Sequence, residues 1–223
     1  MTNPRLRDAH YWIFDLDNTL YPVSANLFDQ IDKRMCDFIA RFLEIDHADA
    51  YKVQKRYFRQ FGTSLRGMME SHQMPPTPYL DFVHDVDLTV IKKDQQLDDA
   101  LARLPGRKFV FTNATRDYAA RVLDRIGISR HFDDLFAIEE AGYVPKPDPG
   151  VYDQAVGRFG VDPTETVMVE DVARNLVPAA ALGMTTVWVL TGNQWAHNDG
   201  ETIEPDHQTD NLSAWLAAVT AVK

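Results

Sequence analysis

The chain has 223 residues, 45% of them hydrophobic and 11% aromatic, enough to bury one sizeable core with a smaller unit beside it. Its formal net charge of −10 argues against a nucleic-acid polymer as partner, yet allows a small anion wherever local cations outweigh the general field. The single cysteine, Cys36, excludes an internal disulfide and fits a reducing, cytoplasmic compartment; the N-terminal stretch does not read as a signal peptide, and no run approaches the ~18 apolar residues of a membrane span.

The first element is Tyr11-Trp12-Ile13-Phe14, a β-prone run with no polar face, as expected of an interior strand in a parallel sheet. It ends in Asp15-Leu16-Asp17-Asn18-Thr19. Ligands of open α/β sheets bind beyond the carboxyl ends of the strands. Two crowded carboxylates there repel unless a cation or a proton separates them. An EF-hand calcium loop also opens D-x-D, but Leu20 and Asn26 stand where it needs Gly and Glu.

From Ser24 to about Pro105 the pattern is helical. Ser24 is the expected N-cap of a helix carrying Leu27, Ile31, Met35, Phe38 and Phe42. A second helix is expected from Asp46 to Gly62, a third around Tyr79–Val83 behind Thr77-Pro78, and another before Pro105-Gly106. Strand-like runs then return around Phe109–Thr112, Leu135–Ile138, Val167–Glu170 and Thr186–Leu190, separated by helices ending near Gly127, Gly160 and Gly183. This alternation predicts a parallel sheet covered on both faces, with the all-helical stretch inserted after the first strand. Residues 192–208 read as a polar loop, and a closing helix is expected over 213–222, capped near Asp210 or Asn211.

Four strand ends thus converge on one crevice. The first brings Asp15 and Asp17. The second brings Thr112 and Asn113 at a helix start, where free N–H groups suit an anion. The loop after the third brings Lys146 between Pro145 and Pro147, and the fourth brings Glu170 and Asp171, with Asn175 close behind. Hard carboxylate oxygens and few imidazoles suggest Mg2+, which takes one or two carboxylates plus waters and substrate phosphate. Magnesium and a lysine around a phosphate would offset the charge of a transferring phosphoryl group.

Asp15-x-Asp17, Thr112, Lys146 and Glu170-Asp171, in that order, resemble the four motifs of the haloacid dehalogenase superfamily of phosphohydrolases. The resemblance implies an α/β fold: a Rossmann-like parallel sheet with helices on both faces, formed by residues 1–21 and 106–223, plus an all-helical cap of residues 22–105. It implies Asp15 as nucleophile, Asp17 as general acid then base, Thr112 and Asn113 on the phosphate, and Lys146 holding nucleophile and phosphate. It further implies Mg2+ on Asp15, Asp171 and the Asp17 carbonyl, with Glu170 ligating directly or through water and Asn175 behind. Asp17 argues for a phosphate ester, because an alkoxide leaves badly unless protonated whereas a halide needs no acid. The stretches Asp15–Pro22, Phe111–Ala114, Tyr57–Gly67 and Tyr79–Asp85 are similar to the pyrimidine 5′-nucleotidase branch, which implies a nucleoside 5′-monophosphate as substrate. Alternatives are a phosphatase or phosphomutase of small esters or sugar phosphates in the same superfamily, and a non-catalytic phospho-ligand binding protein.

Among the remaining features, Arg66, inside an expected Gly62–Gly67 turn, is the expected substrate contact of the cap. Lys52, Lys55, Arg56 and Arg59 read as the solvated basic side of an amphipathic helix rather than as a base-binding face. Gly62-x-x-x-x-Gly67 lacks the Lys-Ser/Thr of a P-loop, and Cys36 lacks the spacing to an arginine of a cysteine phosphatase. The histidines show no metal-ligand spacing, and Trp195 and His197 lie in the polar loop with no assigned role.

Overall fold

The Tyr-Trp-Ile-Phe run forms strand β1 (Tyr11–Phe14), with Trp12, Ile13 and Phe14 buried. In the computed structural model, which describes Leu6, residues 9–192 and residues 203–221, β1 lies inside a six-stranded sheet. The other strands are β2 (Arg107–Phe111), β3 (Asp134–Phe136), β4 (Thr166–Glu170), β5 (Thr185–Val189) and β6 (His207–Thr209). Their order is β3-β2-β1-β4-β5-β6, and every neighbouring pair is parallel. Alternating side chains of β1 feed two different cores, as a sheet covered on both faces requires. Trp12 and Phe14 join Val110, Val167 and Val169; Ile13 joins Phe109, Phe111 and Met168.

Between β1 and β2 run α1 (Leu27–Leu43), α2 (His47–Phe61), α3 (Ser64–His72), α4 (Pro76–Val83) and α5 (Gln95–Arg103). The covering helices are α6 (Arg116–Ile126), α7 (Pro149–Phe159), α8 (Ala173–Ala181) and α9 (Leu212–Ala221). Helix α2 has the expected ends. The Asp46 carboxylate accepts the Asp49 N–H at 2.9 Å, and Gly62 stops the helix at φ +86°.

Three expectations are corrected. Ser24 does not cap α1: Pro22 leads residues 23–25 into a 3₁₀ turn, and Asn26, in the left-handed region, precedes the helix instead. The Gly62–Gly67 segment is not a turn, because Thr63 accepts the Arg66 N–H and opens α3. Helices α1 to α4 pack on one another, but α5 packs against α9, and the Ser213 hydroxyl donates to Asp94 at 2.6 Å. The self-packed helical group thus ends before Asp94. Finally, part of the expected polar loop pairs with β5 as β6, while Trp195 and His197 lie outside the described residues.

Gly67 sits where α3 crosses α2. A Cβ there would lie 2.3 Å from Tyr57 Cβ, well inside contact distance. Gly67→Ala gains about 1 kcal/mol of helix propensity but must push the two helices apart, which costs roughly 1–3 kcal/mol or more. The expected result is a lower urea midpoint with an unchanged m-value.

Candidate active site

Asp15 directly follows β1, and its N–H continues the ladder to Val169 O at 2.9 Å. Because Phe14 pairs with Val169, Asp15 stands level with Glu170 at the end of β4. Lys146, 1% exposed, reaches both from the loop after β3. Its Nζ donates to Asp15 Oδ1 at 2.8 Å, to Glu170 Oε1 at 2.9 Å and to Phe111 O at 2.8 Å. All three ammonium donors are thereby used. The loop is clamped by Asn113, whose carboxamide accepts the Lys146 N–H at 2.8 Å and donates to Lys146 O at 3.4 Å. Asn113, expected on a phosphate, thus has the lysine loop as its partner. Thr112 lines the cavity, and its Oγ1 accepts the Ala114 N–H at 3.0 Å.

Glu170 is held by three protein donors. Besides Lys146, Asn175 Nδ2 donates to Oε1 at 2.6 Å and Val172 N–H to Oε2 at 2.6 Å. Asp171 is the opposite case: it is 3% exposed, and its Oδ2 has no hydrogen-bond partner among the described residues. Asp15, Glu170 and Asp171 each bring a carboxylate oxygen, all within 4.8 Å of one another. An orphaned buried carboxylate oxygen beside two further carboxylates is what a hard divalent cation would satisfy.

The electrostatics agree. Burial pushes Asp15 up; Lys146 pulls it back but Glu170 and Asp17 oppose, leaving it at about 7. Burial, then Glu170 and Asp15, hold Asp171 well above the usual carboxylate range. Burial works against the Lys146 charge, yet Asp15 and Glu170 outweigh it and keep the ammonium charged. A carboxylate raised on folding stabilises the fold below its unfolded value, and that contribution is lost as pH rises through its folded value. For Asp15 the window runs from about pH 4 to about pH 7. In EDTA the melting temperature should therefore fall between pH 5 and pH 8. A divalent cation should raise it more at pH 8, where the carboxylates must be charged, than at pH 5. A cation effect of equal size at both pH values, read by differential scanning calorimetry, would count against the cluster as its site.

Asp17 is held differently. Its Oδ1 accepts the phenols of Tyr21 at 2.6 Å and Tyr118 at 2.8 Å. Burial raises its pKa, and the two phenols oppose the rise. Tyr118 is itself fixed from the inserted stretch: His84, at the end of α4, stacks on its ring at 4.4 Å and contacts Thr115 Oγ1 at 3.0 Å. Burial drives the His84 ring down to about 3, so it stays neutral.

The same cavity extends from these groups to α1 and α2, where Phe28, Ile31, Met35, Gln54, Lys55 and Phe58 line it. Arg66 is not among the lining residues; it lies on α3 and pairs with Glu70. Of the basic residues on α2, Lys55 faces the cavity and pairs with Asp32 at 2.6 Å, so that side of the helix is not wholly solvated. Arg174 of α8 reaches across to α2, donating to Gly62 O at 3.0 Å and lying 4.1 Å over the Phe58 ring. Sequence reasoning missed Tyr21, Tyr118, His84, Gln54 and Arg174. Tyr21 and His84 lie in the Asp15–Pro22 and Tyr79–Asp85 stretches that carried the branch resemblance, but neither was given a role.

Residues 12–183 match the haloacid dehalogenase-like hydrolase family. The "Phosphate metabolism protein 8" of Saccharomyces cerevisiae is 24% identical over 214 residues, covering 88% of this chain and 66% of that protein. The "Glyceraldehyde 3-phosphate phosphatase" of Methanopyrus kandleri is 26% identical over 225 residues, covering 93% of this chain and 95% of that protein. Among solved structures, the L-2-haloacid dehalogenase of Xanthobacter autotrophicus superposes with a TM-score of 0.59 at 13% identity, covering 96% of this chain and 100% of that one. That last likeness concerns the fold alone.

Proposed function

Because this chain belongs to the haloacid dehalogenase-like hydrolases, we propose that it is a phosphatase that hydrolyses a nucleoside 5′-monophosphate, with a pyrimidine base, through an aspartyl-phosphate. Asp15 attacks phosphorus, and the P–O bond to the sugar breaks. The leaving alkoxide takes a proton from Asp17. Asp17, now a carboxylate, takes a proton from water as that water attacks the acyl phosphate, which releases inorganic phosphate and frees Asp15. Lys146 neutralises charge on Asp15 and the incoming phosphate throughout. Asp15 and Asp171, with Glu170 behind them, would hold a Mg2+ ion, which would supply further positive charge for phosphoryl transfer. The orphaned Asp171 Oδ2 and the all-oxygen donor set fit that ion.

The observation that carries the phosphate-ester reading is Asp17. It is a half-buried acid with raised pKa, one oxygen fixed by two phenols, beside the proposed nucleophile. Halide displacement uses no such acid, so the structural kinship with a dehalogenase does not favour that chemistry. Helices α1 to α4 are the proposed cap, closing the cavity to water during transfer. Support for a nucleotide is the apolar wall of Phe28, Ile31, Met35 and Phe58, which suits the face of a base, together with the Asp15–Pro22 signature. A sugar-phosphate substrate is the second reading, favoured by the similarity along most of its length to the archaeal phosphatase. No described helix is long and apolar enough to cross a membrane, and the single-cysteine composition fits the proposed cytoplasmic location.

Phosphate release from a panel of nucleotides and sugar phosphates tests both readings. The expected result is the highest kcat/KM on a pyrimidine nucleoside monophosphate, loss of turnover in EDTA and its return with Mg2+. Preference for a triose phosphate moves the assignment to the second reading. Turnover indifferent to EDTA removes the metal.

A further inference from the structure

Gln54 is 2% exposed and lines the cavity from α2. Its amide nitrogen faces Asp32 Oδ1 at 2.8 Å, Asp32 O at 3.2 Å and Met35 Sδ at 3.6 Å. Those acceptors fix which way the carboxamide points, since the reverse orientation would set its oxygen against two other oxygens. Oε1 is therefore the end turned away from Asp32, and it has no hydrogen-bond partner among the described residues. A buried carbonyl oxygen without a donor is costly, and a native protein keeps one for a reason. Beside it, the Lys55 ammonium gives one of its three donors to the same Asp32 Oδ1. Phe28, Ile31 and Phe58 make the surrounding wall apolar. The combination is an acceptor and a cationic donor, oriented by one carboxylate, within an apolar slot.

We infer that Gln54 Oε1 accepts a hydrogen bond from a ring N–H of the leaving group while Lys55 donates to the neighbouring carbonyl, so that this slot selects the imide edge of a base such as uracil. The inference rests on the nucleotide reading above and adds to it a residue that sets specificity. Gln54 touches no reacting atom. It acts by rejecting leaving groups that cannot satisfy its oxygen, and discrimination of that kind is strong because the unmatched ligand leaves a buried polar atom unpaired.

The test compares kcat/KM for uridine 5′-monophosphate and 3-methyluridine 5′-monophosphate, in which a methyl group replaces the ring N–H. The wild-type protein should favour the unmethylated ester by at least ~10-fold, and Gln54→Met, of similar length without the acceptor, should bring the ratio to within about two-fold of unity. Equal use of the two esters by the wild-type protein overturns the inference, and needs no variant to fold. So does a variant that slows both esters alike and keeps the wild-type ratio, which is the signature of a purely structural glutamine. Phosphate release from p-nitrophenyl phosphate is measured alongside. If that ester and both nucleotides are hydrolysed without discrimination, the specificity inference falls alone; if no ester releases phosphate, the phosphatase reading falls with it.

Discussion

Asp15→Asn should abolish phosphate release from every ester the protein accepts, with a loss of at least about 10⁴-fold in kcat, the scale seen when a nucleophile is removed. The substitution is nearly isosteric. Asn keeps an oxygen for the Lys146 ammonium, now 2.8 Å from Asp15 Oδ1, but has no charge with which to attack phosphorus. The fold should survive and, above neutral pH in EDTA, gain stability. Burial and Glu170 raise the Asp15 pKa to about 7, so at pH 8 the native protein is strained by a charge the variant lacks. The two readouts together are decisive. An inactive variant that melts no lower than wild type at pH 8 in EDTA assigns the loss to chemistry. Turnover within about 100-fold of wild type would remove Asp15 as nucleophile, since other groups of a site rarely replace a missing one that well.

Lys146→Met should cost both activity and stability. The ammonium is the only cation donating to Asp15 and Glu170 among the described contacts, and its removal leaves two buried carboxylates facing each other. Breaking a buried ion pair from one side typically costs about 3–5 kcal/mol. For a chain of this size that corresponds to a fall of roughly 6–20 °C in Tm. The deficit should depend on pH. Without Lys146 the Asp15 pKa rises further, so its protonation at pH 5 relieves the repulsion and the deficit there should be smaller than at pH 8. Asp15→Asn in the same chain should recover part of the lost stability by removing one of the two charges. Calorimetry of the single and double variants at both pH values checks all of this. A deficit that does not change with pH would show that Lys146 is held by packing alone.

How much of this was legible in the sequence follows from how local each signal is. The Tyr11–Phe14 strand and its terminal carboxylates could be read because burial on both faces leaves a wholly apolar run. The meeting of Asp15, Lys146, Glu170 and Asp171 could be read because parallel strands place their carboxyl ends on one side. Helix α2 was legible at both ends from Asp46 and Gly62. The edge strand β6 was not: His207-Gln208-Thr209 is polar, half-exposed and too short to show alternation. The start of α1 was misjudged because Ser24 is a good cap in isolation, while Pro22 commits the chain to a 3₁₀ turn first. Arg66 was preferred as a substrate contact because its glycines suggested a loop; the structure uses Gly62 for a helix stop and Gly67 for a close helix crossing. Gln54 looked like any polar residue on a helix. Its orphaned oxygen exists only once Asp32 and Met35 of another helix have claimed the other half of the amide.

Strand β1 is synthesised before the other described strands, yet Tyr11 pairs with Arg107 on one side and with Thr166 on the other. A nascent chain that has emerged only through the helical insertion therefore carries Asp15 and Asp17 on a strand with no neighbours. Both flanks must wait for distant segments, and such pairings are slow because a long loop has to close first. Competence for chemistry thus arrives late in biosynthesis, when the Thr166–Glu170 segment threads beside β1 and completes the acidic cluster. Any truncation before that point yields a polypeptide with its proposed nucleophile and general acid already present but with nothing to hold them.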